Sequence, residues 1–146
     1  DAAAQQGWSI ELSGVIGATL VRFTLRQDAT RSARRVLTTA LVWTTAEWHH
    51  IAITWNGSGA ASGILIYVDG ALQTSTQEES NLTGDTQNAD DLEVAGDLDG
   101  ASTTFYGYVR QLMIYGTALV ANEVLGDRGE VSSSSRIVAG EWKAVA

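Results

Sequence analysis

The chain contains no cysteine and no proline. Without cysteine there is no disulfide framework, no thiolate metal site and no cysteine nucleophile. Proline at its usual share of about 5% would occur about seven times in a chain of this length. Its absence leaves glycine, asparagine and aspartate to make the turns. Lysine is almost missing too: Lys143 is the only one among nine basic residues, and the rest are arginine. Long apolar runs are also absent. No stretch approaches the ~20 residues of a membrane-spanning helix, so neither membrane insertion nor a signal peptide ahead of Asp1 is expected. A chain that opens on aspartate instead of methionine is expected of a processed or partial protein.

What is present points to a packed domain. The chain has 146 residues, 45% of them apolar, which is enough to build one hydrophobic core and argues against intrinsic disorder. Its formal net charge is −8, from seventeen acidic residues against nine basic ones. The charge is polarised along the chain. Arg22, Arg26, Arg31, Arg34 and Arg35 crowd into one segment with Asp28 as its only acid. From Val36 to Val109 there is no lysine or arginine, while Glu47, Asp69, Glu78, Glu79, Asp85, Asp90, Asp91, Glu93, Asp97 and Asp99 all lie there. An acidic chain repels nucleic acid phosphates, so nucleic acid binding is not expected. Arg31, Arg34 and Arg35 are expected in an exposed loop. There they either pair with the acidic half of the same domain or meet an acidic glycan or a neighbouring subunit.

Helical periodicity is nearly absent, and short β-rich runs are separated by Gly, Asn, Asp and Ser clusters. Strands are expected at 7–12, 18–26, 36–43, 48–55, 64–69, 71–76, 91–95 and 104–115. In 18–26 the alternation puts Leu20, Arg22, Thr24 and Arg26 on one face and Val21, Phe23 and Leu25 on the other. Asp69-Gly70 suits a two-residue hairpin turn, because both positions tolerate positive φ. Residues 77–90 read as an exposed acidic loop, and 118–125 as one short helix stopped by Gly126. Many short antiparallel strands with one minor helix give an all-β fold, a sandwich or jelly roll.

Residues 48–76, WHHIAITWNGSGAASGILIYVDGALQTST, carry a more specific pattern in Trp48-His49-His50, Ile51–Trp55 and Tyr67-Val68-Asp69-Gly70. A second block runs from Leu92-Glu93-Val94-Ala95-Gly96 to Tyr106-Gly107-Tyr108-Val109-Arg110-Gln111-Leu112-Met113-Ile114-Tyr115. Together they resemble laminin G-like domains of the concanavalin A-like lectin/glucanase superfamily over roughly residues 7–126. The resemblance implies a jelly-roll β-sandwich of two antiparallel sheets with one short helix near the C-terminus. It further implies an aromatic, apolar strand ahead of GWSIEL, where this chain has only DAAAQQ. That position is expected to be filled by residues 140–146, by sequence beyond the chain, or by a neighbouring chain. The expected organisation is a domain over 1–131 and a Ser-rich link with a C-terminal segment over 132–146. Val120 stands where the family has a Ser or Asp helix cap, so that helix should be weakly capped.

A retaining glycosidase needs two carboxyls about 5–5.5 Å apart, and Glu11, Asp69 and Glu93 are isolated from one another on the expected strands. There is no Gly-x-Ser-x-Gly elbow and no His-Glu-x-x-His, so the chain is not expected to be an enzyme. The superfamily resemblance implies a rim calcium site held by oxygen ligands, for which Asp97 and Asp99, with Asp90, are the candidates; no other cofactor is expected. For a sugar, aromatic platforms flanked by polar groups are required. Tyr106 and Tyr108 share a face with Arg110, and Trp43 is the further candidate; Trp48 and Trp55 are expected in the core. Asn56-Gly57-Ser58 and Asn81-Leu82-Thr83 match the glycosylation sequon, which matters only in a eukaryotic secretory pathway.

Two functions remain from different classes. The first is a non-catalytic recognition module that binds a glycan or cell-surface partner. The second is a structural virion protein, a bacteriophage decoration or fibre domain that acts by assembly, with a homo-oligomer as its natural form. Either places the chain outside the cell or on a virion surface.

Overall fold

Alternation of apolar and polar side chains builds the first hairpin. In the computed structural model, which describes residues 6–15, 18–28, 30, 32–37, 41, 47–87, 92, 94, 107–126, 136–137 and 139–144, β1 (Gly7–Val15) pairs antiparallel with β2 (Ala18–Arg26). The register sets Trp8 opposite Leu25, Ile10 opposite Phe23 and Leu12 opposite Val21, so the apolar set of both strands shares one face. β3 (Ser32–Leu37) extends this sheet beyond β2.

The second sheet is seeded by the WHH segment. β4 (His49–Trp55) and β5 (Ile64–Val68) pair antiparallel, with a 3-10 turn at Ala61–Gly63 between them. Asp69 and Gly70, with φ of 51° and 79°, then make the tight turn into β6 (Ala71–Leu72). After β6 the chain crosses to the first sheet, where β7 (Ser75–Ser80) pairs with β3. The C-terminal half supplies β8 (Gly107–Arg110), β9 (Ile114–Tyr115), α1 (Ala121–Gly126), β10 (Arg136–Ile137) and β11 (Ala139–Ala144). The sheets run β1-β2-β3-β7 and β6-β5-β4-β11-β8, with β9 and β10 forming a separate pair. Among the described residues this is an all-β, two-sheet architecture with one short helix.

The core lies between the two sheets. Val21, Phe23, Leu25 and Ala33 of the first meet Ile51, Ile53, Ile64, Ile66 and Val68 of the second. Each buried Ile or Phe contributes about 1.5–3 kcal/mol of transfer free energy. A smaller cluster sits on the other face of the second sheet, where Val124 of α1 packs with Ala52 and Tyr67. The helix keeps half of a capping box: the Val120 N–H donates to the Glu123 carboxylate at 2.9 Å.

Several local expectations are corrected. Arg34 and Arg35 lie in β3, not in a loop, and the strand starts at Ser32 instead of 36. The acidic segment from Gln77 to Ser80 is strand, because β3 pairs with it: Arg34 is opposite Glu79 and Arg35 opposite Gln77, with a bulge between the two arginines. The long strand expected at 104–115 is broken, since Gln111 has φ of 60°, which an extended strand cannot hold. Leu92 and Val94 are exposed and outside any strand.

Candidate functional site

Side chains at even positions of β4 point away from the core, because Ile51 and Ile53 point into it. Trp48, one residue before the strand, therefore stands on the outer face and is 38% exposed. This corrects the expectation that it fills the sandwich interior. Above it sits Arg110, whose guanidinium carbon lies 4.9 Å from the centre of a Trp48 ring. A cation held over an indole at this distance gains about 0.5–2 kcal/mol, and the stacking limits the motion of a long side chain. Tyr108, two residues earlier on β8, is 61% exposed and shares the face of Arg110 by the same alternation. β4 and β8 are separated by β11 alone. The face thus collects an indole, a phenol and a guanidinium from strands about 10 Å apart. Arg110 and Tyr108 are the two members of the sequence-predicted sugar-binding set that the structure brings together here. Trp48 joins them on this face, as the parity of the Ile51 and Ile53 positions indicates.

Next to this face, Asp69 ties the start of β4 to the β5–β6 turn. One of its carboxylate oxygens accepts the His50 N–H at 2.9 Å, and the other lies 2.9 Å from Nδ1 of His49. This pair serves strand register. Among the described residues no three His, Asp or Glu side chains come together to hold a metal ion.

On the outer face of the first sheet, Arg22 lies between two carboxylates, 3.2 Å from Glu11 and 3.3 Å from Glu78. Burial opposes its charge, but the hydrogen bond to Glu11 and the attraction of Glu78 outweigh that and raise its pKa. Glu11 and Glu78 are thus bound to a shared guanidinium, which is an ion-pair arrangement and not two carboxyls flanking an open cleft.

Trp43 and Tyr106 of the expected sugar-binding set lie outside the described residues, as do Arg31 of the arginine set and Asp90, Asp97 and Asp99 of the candidate calcium set. Arg34 and Arg35 are placed by their backbone in β3. Among the described residues no helix is long and apolar enough to cross a membrane.

A laminin G family model, described as the concanavalin A-like lectin/glucanases superfamily, matches residues 2–125. No curated protein and no solved structure matches the chain. Laminin G-like domains are commonly binding modules, typically extracellular and without catalytic activity, although the superfamily also includes glycosidases. With its two antiparallel sheets, one short helix and a match across residues 2–125, this chain belongs to the laminin G-like domains of the concanavalin A-like superfamily.

Proposed function

We propose that the domain is a non-catalytic recognition module that binds a glycan on the outer face of its second sheet. The observation that supports this is Arg110 stacked 4.9 Å over Trp48, beside the exposed Tyr108. A sugar ring has an apolar face that suits an aromatic platform and hydroxyls that need directed partners. Arg110 suits the second need. A guanidinium presents its N–H donors in a fixed planar fork that can meet the oxygens of a hydroxylated ring. Such a module works outside the cell or on a virion surface.

The test is a glycan array probed with the whole chain and with Tyr108→Ala and Trp48→Ala. The expected outcome is binding to a defined set of glycans, weakened about tenfold by either substitution, or about 1.4 kcal/mol. A blank array together with a symmetric oligomer by light scattering would replace this reading with assembly on a viral surface. Calcium at Asp90, Asp97 and Asp99 is a separate proposal, read by a rise in melting temperature on adding the metal.

A further inference from the structure

An asparagine followed by glycine places a side-chain amide carbon beside a backbone nitrogen that carries no bulky neighbour. Asn56-Gly57 is such a pair, in the loop between β4 and the 3-10 turn, and Asn56, Gly57 and Ser58 are all exposed. Gly57 has φ of 80°, and a Cβ built on it would meet nothing within 4 Å. Among the described residues its N–H has no hydrogen-bond acceptor, and neither has Nδ2 of the Asn56 side chain. Only Oδ1 of Asn56 is held, by the Ser58 N–H at 3.0 Å. Ser58 is in turn fixed by the Trp55 indole N–H, which donates to its carbonyl at 2.7 Å. Gly63 leaves the space in which Oδ1 sits, since a Cβ there would collide with it.

Two related positions in the fold lack this combination. Asn81 precedes Leu82, and both ends of its amide are engaged: Oδ1 accepts the Ser32 N–H at 2.6 Å and Nδ2 donates to the Thr30 carbonyl at 2.8 Å. Asp69 precedes Gly70, but one carboxylate oxygen accepts the His50 N–H and the other meets Nδ1 of His49, each at 2.9 Å. A carboxylate is also a poorer electrophile than an amide and has no ammonia to release. At Asn56 alone of the three, the attacking nitrogen and the leaving nitrogen are both uncommitted.

We infer that Asn56 is a site of spontaneous covalent modification in the folded protein, converting to aspartate and isoaspartate. The Gly57 amide nitrogen loses its proton and attacks Cγ of Asn56. A new N–Cγ bond forms, the Cγ–Nδ2 bond breaks, and Nδ2 takes up a proton and leaves as ammonia. Water then opens the resulting succinimide at one of its two carbonyls, restoring a peptide link through either the α- or the β-carbon. During attack the negative charge gathers on Oδ1, where the Ser58 N–H already points, so a donor is in place for the charged intermediate. The consequence is local. The Asn56 N–H donates to the Gly63 carbonyl at 3.1 Å and closes the β4–β5 hairpin. Isoaspartate lengthens the loop that this bond closes, and either product adds a negative charge to a chain of net charge −8.

The test is peptide mapping by mass spectrometry after the whole chain, made in bacteria so that Asn56 carries no glycan, is kept in warm, mildly alkaline buffer. The same chain unfolded in urea and a short peptide spanning Asn56 are followed in parallel. In the folded chain Asn56 is expected to convert at a rate within severalfold of the peptide, with isoaspartate among the products, whereas Asn81 converts only in urea. Gly57→Ala should slow the conversion at position 56 by about tenfold, because the added methyl group crowds the attacking nitrogen. Asn56→Gln should remove the new species altogether. The inference is overturned if Asn56 stays intact in the folded chain while the peptide converts. It is equally overturned if Asn81 converts as fast as Asn56 without urea. Because the folded chain and the peptide are compared directly, the result stands even if Gly57→Ala fails to fold.

Discussion

Thr24 is 2% exposed, and its hydroxyl has no hydrogen-bond partner among the described residues. A buried, unmatched hydroxyl costs about 1–3 kcal/mol of desolvation, whereas an apolar group of the same shape costs nothing of the kind. Thr24→Val is therefore expected to stabilise the fold by up to about 1 kcal/mol. A thermal melt should show this as a rise of about 2–4 °C; a lower melting temperature would mean that the hydroxyl is satisfied. Asn81 is the opposite case. Its side chain accepts from the Ser32 N–H at 2.6 Å and donates to the Thr30 carbonyl at 2.8 Å, so the second sequon is committed to loop structure. The Asn81 bonds could not be read from local sequence, because Thr30 and Ser32 lie about fifty positions away along the chain. Trp48 shows what could be read and was not. The parity of Ile51 and Ile53 places it on the outer face, whereas its size and apolar character alone point to the core.

At the scale of elements, hairpins were readable and long-range pairings were not. The turn at Asp69-Gly70 and the strand of alternating residues at 18–26 depend on neighbours in sequence, and both stand as expected. β3 and β7 depend on each other. Arginines and glutamates have weak strand preference alone, yet pairing Arg34 with Glu79 puts both into a sheet. β11 has the largest consequence. It lies between β4 and β8 and pairs antiparallel with both, so it is the only strand joining them in the described sheet. A chain ending at Val138 would leave two rows of backbone N–H and C=O groups unpaired. It is expected to melt well below the whole chain. A peptide of residues 139–146, added in excess, should restore part of the transition. Identical melting curves with and without the segment would rule this role out.

For the molecule as a whole, charge and layering act together. The Arg22 ion pairs lie partly exposed, with side-chain accessibilities of 29% for the arginine and 45% and 31% for Glu11 and Glu78, and pairs of that kind contribute about 0–1 kcal/mol each. A net charge of −8 spreads repulsion over the entire surface. Repulsion should win, so raising the ionic strength to about 0.15 M, where the Debye length is about 8 Å, is expected to raise the melting temperature. A fall on adding salt would mean that the ion pairs dominate. The all-β class, the first hairpin, the inward faces of β2 and β4 and the short helix were already present in the amino-acid order, because turn chemistry and side-chain alternation act over a few residues. The partnership of β3 with β7, the insertion of β11 and the stacking of Arg110 on Trp48 were settled by folding. Each joins segments distant along the chain, and their contacts acquire an energy only once two sheets have closed over a shared core.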